Sequence, residues 1–203
     1  MNTQTLLSIV ADQREELLAN DYSELCPRPE ESQLDLKSNR AQVVIGVRRC
    51  GKSTLCEMFL KQKGIDFAYV NFDDDRMEDM EASDLDHLLE ALYMTYGEFK
   101  YLFLDEIQNI ESWPLFVNRL LRQKMHLFIT GSNSKLLSKE LSTHLTGRNN
   151  KVELYPFSYS EYCTMKKIDT TSLSTKAKGI RKSTLHEYLL QGGFPELFNE
   201  SNR

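Results

Sequence analysis

Gly46-Val47-Arg48-Arg49-Cys50-Gly51-Lys52-Ser53 is the stretch whose reading decides the fold. It follows residues 42–45, a short apolar run suited to a buried parallel strand, and it leads into residues 52–61, where Leu55 and Phe59 share one helical face. Strand, glycine-bearing loop and helix in that order make a phosphate-binding loop. Gly46 and Gly51 let the backbone curl so that successive N–H groups face inward, and the helix opening near Gly51 adds the positive end of its dipole. Lys52 then reaches the outer phosphates, and Ser53 offers a hydroxyl to Mg²⁺, a hard cation that prefers oxygen and bridges phosphates. Val47 and Thr54 belong to the same candidate nucleotide-binding run. Arg48 and Arg49 read equally as nucleotide contacts or as loop charges paired with an acidic surface. Cys50, beside a lysine and a helix start, reads as a thiol of lowered pKa or, more simply, as a small loop filler.

Residues 101–106, Tyr-Leu-Phe-Leu-Asp-Glu, are the second decisive stretch. Four apolar residues make a buried central strand that delivers two carboxylates to the sheet edge where the phosphate loop lies. Asp105 then holds Mg²⁺ through its water shell. Glu106, turned elsewhere by strand alternation, is placed to polarise the attacking water. Gln108 reads as a backbone cap or as a neighbour of that water. After the apolar run 126–130, Ser132 or Asn133 supplies a neutral polar side chain able to touch both terminal phosphate and water, or to cap a helix beginning near Lys135. Arg148, just before an expected strand at 152–155, reads either as an arginine finger reaching a neighbouring subunit's phosphate or as half of a surface salt bridge.

With 203 residues, 40% of them hydrophobic, the chain can bury one substantial core and part of a second domain. A formal charge of −5 gives no basic field of the kind a nonspecific nucleic-acid binder carries. Cys26, Cys50, Cys56 and Cys163 show neither paired spacing nor grouping with histidines, which implies reduced thiols and no zinc. The apolar stretch 6–11 is too short for a signal core or a membrane span, so a cytoplasmic protein is expected. Helices are expected at 3–20, with Leu6, Val10, Leu17 and Leu18 on its apolar face, from Ser83 as N-cap with Tyr93 on the apolar face, and at 113–123, 136–145 and 183–191. Asp73, Asp74 and Asp75 read as a solvated turn or a metal-ordering cluster, and 169–178 as a polar, mobile connector. The domain reading is an N-terminal helix and connector (1–39), a core (40–156) and a partial helical lid or the start of a following domain (157–203).

The phosphate loop, Leu104-Asp105-Glu106-Ile107-Gln108, Thr130-Gly131-Ser132-Asn133-Ser134, Leu145-Thr146-Gly147-Arg148, Pro156-Phe157-Ser158 and Gly192-Gly193-Phe194-Pro195, in this order, resemble a large group of prokaryotic AAA-type (AAA+, P-loop) ATPases. The resemblance implies an α/β three-layer fold with a mainly parallel five-stranded sheet and helices on both faces, and ATP and Mg²⁺ as ligands. It implies Lys52 and Ser53 as phosphate and metal contacts, Asp105 as the metal carboxylate, Glu106 as the catalytic one and Asn133 or Ser132 as phosphate sensor. Family members continue into a C-terminal domain, so a longer protein is implied, along with self-association through the ATPase edge. Arg181 is the candidate for a second-sensor arginine. The expected function is ATP hydrolysis that moves an attached domain or partner. Its alternative is a nonhydrolytic, nucleotide-dependent interaction switch. A small-molecule kinase would need an acceptor site and an arginine-rich lid, and the sequence offers neither.

Overall fold

The computed structural model describes residues 1–22, 25–132 and 143–199. Among these, five strands form one parallel sheet: β1 (Ala41–Gly46), β2 (Phe67–Asn71), β3 (Tyr101–Asp105), β4 (His126–Gly131) and β5 (Asn149–Leu154), in the spatial order β2-β3-β4-β1-β5. Every pairing is parallel, with Val44 opposite Thr130, Gly46 opposite Leu154 and Asn71 opposite Asp105. All C-terminal strand ends therefore share one edge, and the phosphate loop leaves from it. The fold is the expected α/β three-layer arrangement.

Alternation along each strand sorts the core into two layers. Val43, Ile45, Leu102, Leu104, Leu127 and Ile129 face one side, where they pack with α1 (Thr3–Ala19), α3 (Leu85–Tyr96) and α4 (Trp113–Arg122). Val44, Phe103 and Phe128 face the other, against Leu55, Phe59 and Leu60 of α2 (Lys52–Gln62). All six residues of β1 are buried, as a strand covered on both faces must be. β3 lies one place from the sheet's edge, and the central strand is β4.

Helix α1 packs on α3 and β2. Buried Gln13 fixes its register, with Nε2 donating to Asn71 O (3.0 Å) and Oε1 accepting from Asn71 N (2.9 Å). Leu18 departs from the expected apolar face and is 68% exposed, because the helix meets the sheet through Leu6, Ile9, Val10, Gln13 and Leu17. Tyr93 is likewise exposed, stacked on Phe99. Ser83 does not cap α3, since Glu81 and Asp84 exchange reciprocal side-chain bonds around a 3₁₀ turn at Ala82–Asp84 and satisfy the first donors there.

After β5 come α5 (Tyr159–Met165), α6 (Thr175–Gln191) and α7 (Glu196–Asn199). Helix α6 begins well before the expected Ser183, capped by Ser174, whose hydroxyl accepts from Ala177 N (3.2 Å). The supposed connector at 169–178 is organised by Asp169, whose Oδ1 accepts from Thr171 N (2.8 Å) and Ser172 N (3.1 Å). Gly179 and the lack of an apolar stripe hid these turns, for Thr184 is the one buried residue of α6. Of the helix expected at 136–145, residues 136–142 lie outside the described residues.

Candidate nucleotide site

Two left-handed residues shape the loop: Arg49 (φ 67°) and Gly51 (φ 93°), the latter immediately before α2. Gly46 is required for a different reason. A Cβ there would stand 2.1 Å from Leu154 O and 2.9 Å from Cys50 Sγ, so the loop leaves β1 hard against β5. Cys50 fills the space beneath, fully buried, with Sγ donating to Leu154 O (3.4 Å). Burial pushes its thiol up, against the smaller downward pull of Lys52 and Arg28, which is the filler reading rather than the reactive one.

Lys52, 4% exposed, lies 3.2 Å from Glu106 Oε1 and donates to Val47 O (3.3 Å). Ser53 Oγ donates to Asp105 Oδ1 (2.8 Å). Asp105, 3% exposed, also accepts from Thr130 Oγ1 and from the Tyr69 hydroxyl (3.3 Å). Burial holds its carboxyl above the usual range, with the bonds from Thr130 and Ser53 pulling the other way. Thr130 therefore belongs to the constellation, although the sequence named it only as the first residue of the 130–134 motif and gave it no role; its position as the polar residue ending an apolar run was the available signal.

Glu106 does not continue the strand. Its backbone turns left-handed (φ 54°), with its N–H bonded to Thr130 Oγ1 (3.0 Å), so the carboxylate swings over to Lys52. Oε2 accepts from Gln108 Nε2 (2.6 Å) and from the Ser132 N–H (2.9 Å). Burial alone would raise this carboxyl, but Gln108, Lys52 and Ser132 outweigh it and hold the group below its ordinary value. Gln108 thus positions a side chain rather than capping backbone, and Ser132 contributes its backbone here.

Arg48 and Arg49 take the surface-pairing reading: Arg48 Nη2 meets Asp73 Oδ2 (2.8 Å) and Arg49 Nη1 meets Glu196 Oε2 (3.0 Å). Asp74 bonds Arg76 and Gln13, so the acidic turn is occupied by structural pairs. Arg148 is not part of the cluster. It precedes β5, its carbonyl accepting from Ala41 N (2.9 Å) and its Nη1 donating to Asn118 Oδ1 (2.8 Å). The length of β1, roughly 17 Å at 3.3 Å per residue, separates it from the loop. Asn133 lies outside the described residues. Arg181 donates to Asp169 O (3.1 Å) and Ser172 O (2.8 Å), holding the turn before α6.

Beside the loop is a cavity of about 370 Å³. Its floor is Gly51, Thr54 and Met58, one wall is Tyr22, Cys26 and Arg28 from the connector, and the other is Phe157, Met165 and Pro195. Such a volume suits a small organic ligand. A larger cleft of about 630 Å³, between α1 and the turn after β2, is lined by Asp12, Glu15, Glu16 and the Asp73–Asp75 run, carboxylates that repel phosphate. Arg28, 8% exposed, was not foreseen. Locked between Pro27 and Pro29, it donates to Tyr155 O (2.6 Å) and Cys50 O (3.4 Å) and pairs with Glu161 (2.7 Å), tying connector, loop and α5 together. No described helix is long and apolar enough to cross a membrane.

A family model described as an AAA domain matches residues 38–163. The uncharacterized protein MJ1544 of Methanocaldococcus jannaschii is 39% identical over 167 residues, 81% of this chain and 38% of that protein. An uncharacterized protein of Haemophilus influenzae is 35% identical over 164 residues, 77% of this chain and 40% of that one. The chain thus spans about two fifths of the length of these curated relatives. Among solved structures, C. elegans PCH-2 aligns with a TM-score of 0.48 at 12% identity, over 86% of this chain and 50% of that one. Domain III of the Thermotoga maritima replication initiation protein DnaA aligns at 0.45 and 12%, over 78% of each. A family match that runs from just before β1 into α5, and so takes in the loop and every strand of the sheet, makes this chain a member of the AAA domain family, the nucleotide-binding P-loop ATPases.

Proposed function

We propose that the chain binds Mg·ATP at the carboxyl edge of its sheet and hydrolyses it, moving an attached domain or partner as it does so. The Lys52–Glu106 pair carries the reading. A nearly buried ammonium 3.2 Å from a carboxylate is poised for exchange, because a terminal phosphate competes for the same cation. Once Lys52 turns to phosphate, Glu106 keeps the Gln108 and Ser132 bonds that fix its direction and loses the charge that helps hold its pKa down. It becomes a stronger base for the attacking water.

Ser53 and Asp105 fit Mg²⁺, since a hydroxyl and a carboxylate 2.8 Å apart are hard oxygen donors. Among the described residues no three His, Cys, Asp or Glu side chains could hold an ion alone, so the phosphates would complete its shell. When bound, the ion would offset charge on the phosphates. The base would enter the 370 Å³ cavity, with segments 1–39 and 157–203 as walls around a 40–156 core. Asn133 remains the proposed phosphate sensor, with Ser132 beside it. Arg148, at the opposite sheet edge, could serve as a finger only for a neighbouring copy. A further domain beyond this chain would be the moving load.

The engaged state of Arg181 favours the second reading, a nonhydrolytic switch that lacks a second sensor. Calorimetry with Mg·ATP and phosphate-release assays on wild type, Lys52→Ala and Glu106→Gln separate the two. Hydrolysis predicts that Lys52→Ala weakens binding at least about 100-fold, from lost charge-assisted bonds. Glu106→Gln should keep binding while turnover falls about 100-fold or more. Tight wild-type binding without turnover selects the switch, and absence of binding rejects both.

A further inference from the structure

Glu57 is a buried acid that the phosphate chemistry leaves unused. It is 6% exposed, lies on α2 and lines the cavity at the end where Asn20 and Tyr22 close it. Six residues separate it from Gly51, about 9 Å along the helix axis at 1.5 Å per residue. That offset carries it away from the phosphate cradle toward the part of the cavity left for a base.

Its two oxygens are not equivalent. Oε2 is occupied, accepting from the Tyr22 hydroxyl and from Asn20 Nδ2 (3.3 Å). Among the described residues Oε1 accepts no hydrogen bond, so one acceptor oxygen of a cavity-lining side chain is uncommitted. Burial pushes this carboxyl above its ordinary value, and a donor at Oε1 would offset that cost and favour the carboxylate. The helix could have carried an apolar residue here, as it does at Leu55 and Met58 on the same cavity.

We infer that Glu57 sets base specificity, its free carboxylate oxygen accepting from the 6-amino group of adenine and opposing a 6-oxo purine. This rests on the reading that the cavity holds the base. Guanine recognition by a carboxylate would use both oxygens, one for N1–H and one for the 2-amino group, and Tyr22 and Asn20 already hold the second. Adenine needs one. In the adenine pose a 6-oxo group sets acceptor against acceptor, and its neighbouring N1–H could reach the oxygen only if the base shifted in the cavity, a cost under which polar sites discriminate.

The test is calorimetry with the magnesium complexes of ATP, purine riboside triphosphate, ITP and GTP on wild type and Glu57→Gln, with circular dichroism melts to verify folding. Wild type should bind ATP more tightly than ITP and GTP by about 10- to 100-fold, with the 6-unsubstituted purine between them. In Glu57→Gln, whose amide can both accept and donate, the ATP to ITP ratio should fall toward unity. A merely structural tie between α2 and the connector would weaken all four nucleotides alike and leave the ratio intact, which overturns the inference. Equal wild-type affinity for all four overturns it with no need of the variant, while leaving the ATPase reading standing. Failure of every triphosphate to bind removes that reading and this inference together.

Discussion

The carboxyl edge of the sheet and the last helical segment, at 195–199, both touch the loop at 46–53, the first through side chains sealed from water, the second through a proline and an exposed ion pair. At the sheet edge, Lys52 and Glu106 are 4% and 14% exposed. At the helical segment, Arg49 and Glu196 are 67% and 41% exposed, and Pro195 Cγ would lie 3.8 Å from a Cβ placed on Gly51. Water screens the second pair and scarcely reaches the first. The edge is therefore built to fix geometry, and the helical segment to rest on it while remaining separable.

Two glycines offer the sharpest way to break that contrast. A Cβ on Gly46 would stand 2.1 Å from Leu154 O, and one on Gly193 would stand 2.1 Å from Phe157 O. The clashes are equal, so any difference in cost measures how far each surrounding can yield. Gly46 sits between paired strands, and Gly46→Ala should lose about 3 kcal/mol or more of folding stability in chemical denaturation. Gly193→Ala, on the turn beside α6, should lose about 1–2 kcal/mol. Equal losses would erase the distinction.

Asp74 extends the contrast to pH. It lies on the sheet's carboxyl edge, 12% exposed, and Arg76 and Gln13 hold its carboxyl far below the ordinary range. A depressed folded pKa means that the unfolded chain takes up protons first. The stabilisation is complete above the ordinary carboxylate range and is lost as pH falls through and below it. Asp74→Asn should cost about 1.5 kcal/mol at neutral pH, and its melting curve should converge on wild type in acid. A pH-independent gap would mean that the bonds, not the charge, do the holding.

Smallest is Glu196→Gln, which removes the exposed partner of Arg49 and should cost at most about 0.5 kcal/mol in a thermal melt. A loss matching that of Asp74→Asn would show the helical segment to be clamped rather than resting.

The same contrast explains what could be read from the sequence. Strands buried on both faces leave continuous apolar runs, and a loop that must curl leaves glycines, so β1, β3, β4 and the 46–53 loop were legible. Glu106 was named for the right edge but for the wrong cause, since its left-handed backbone, and not strand alternation, turns it to Lys52. Arg28, the role of Thr130 and the first turns of α6 were missed. Arg28 acts through carbonyls brought from distant segments, Thr130 through two neighbours at the end of β3, and α6 has too little buried surface to imprint a period. Interactions closed by tertiary structure leave no local pattern to find.

Each cation of the loop already has its own anion: Arg48 has Asp73, Arg49 has Glu196 and Lys52 has Glu106. These carboxylates come from three separate parts of the chain, the turn after β2, α7 and the end of β3. The loop is thus a set of closed circuits rather than an open positive hole. On the proposed reading, a nucleotide would act as a displacing anion at Lys52, and its affinity would be the margin by which its phosphate bonds exceed the Glu106 pair they replace. The freed Glu106 carboxylate would then report occupancy of the loop to the end of β3, while the Arg48 and Arg49 pairs hold the turn after β2 and α7 in place.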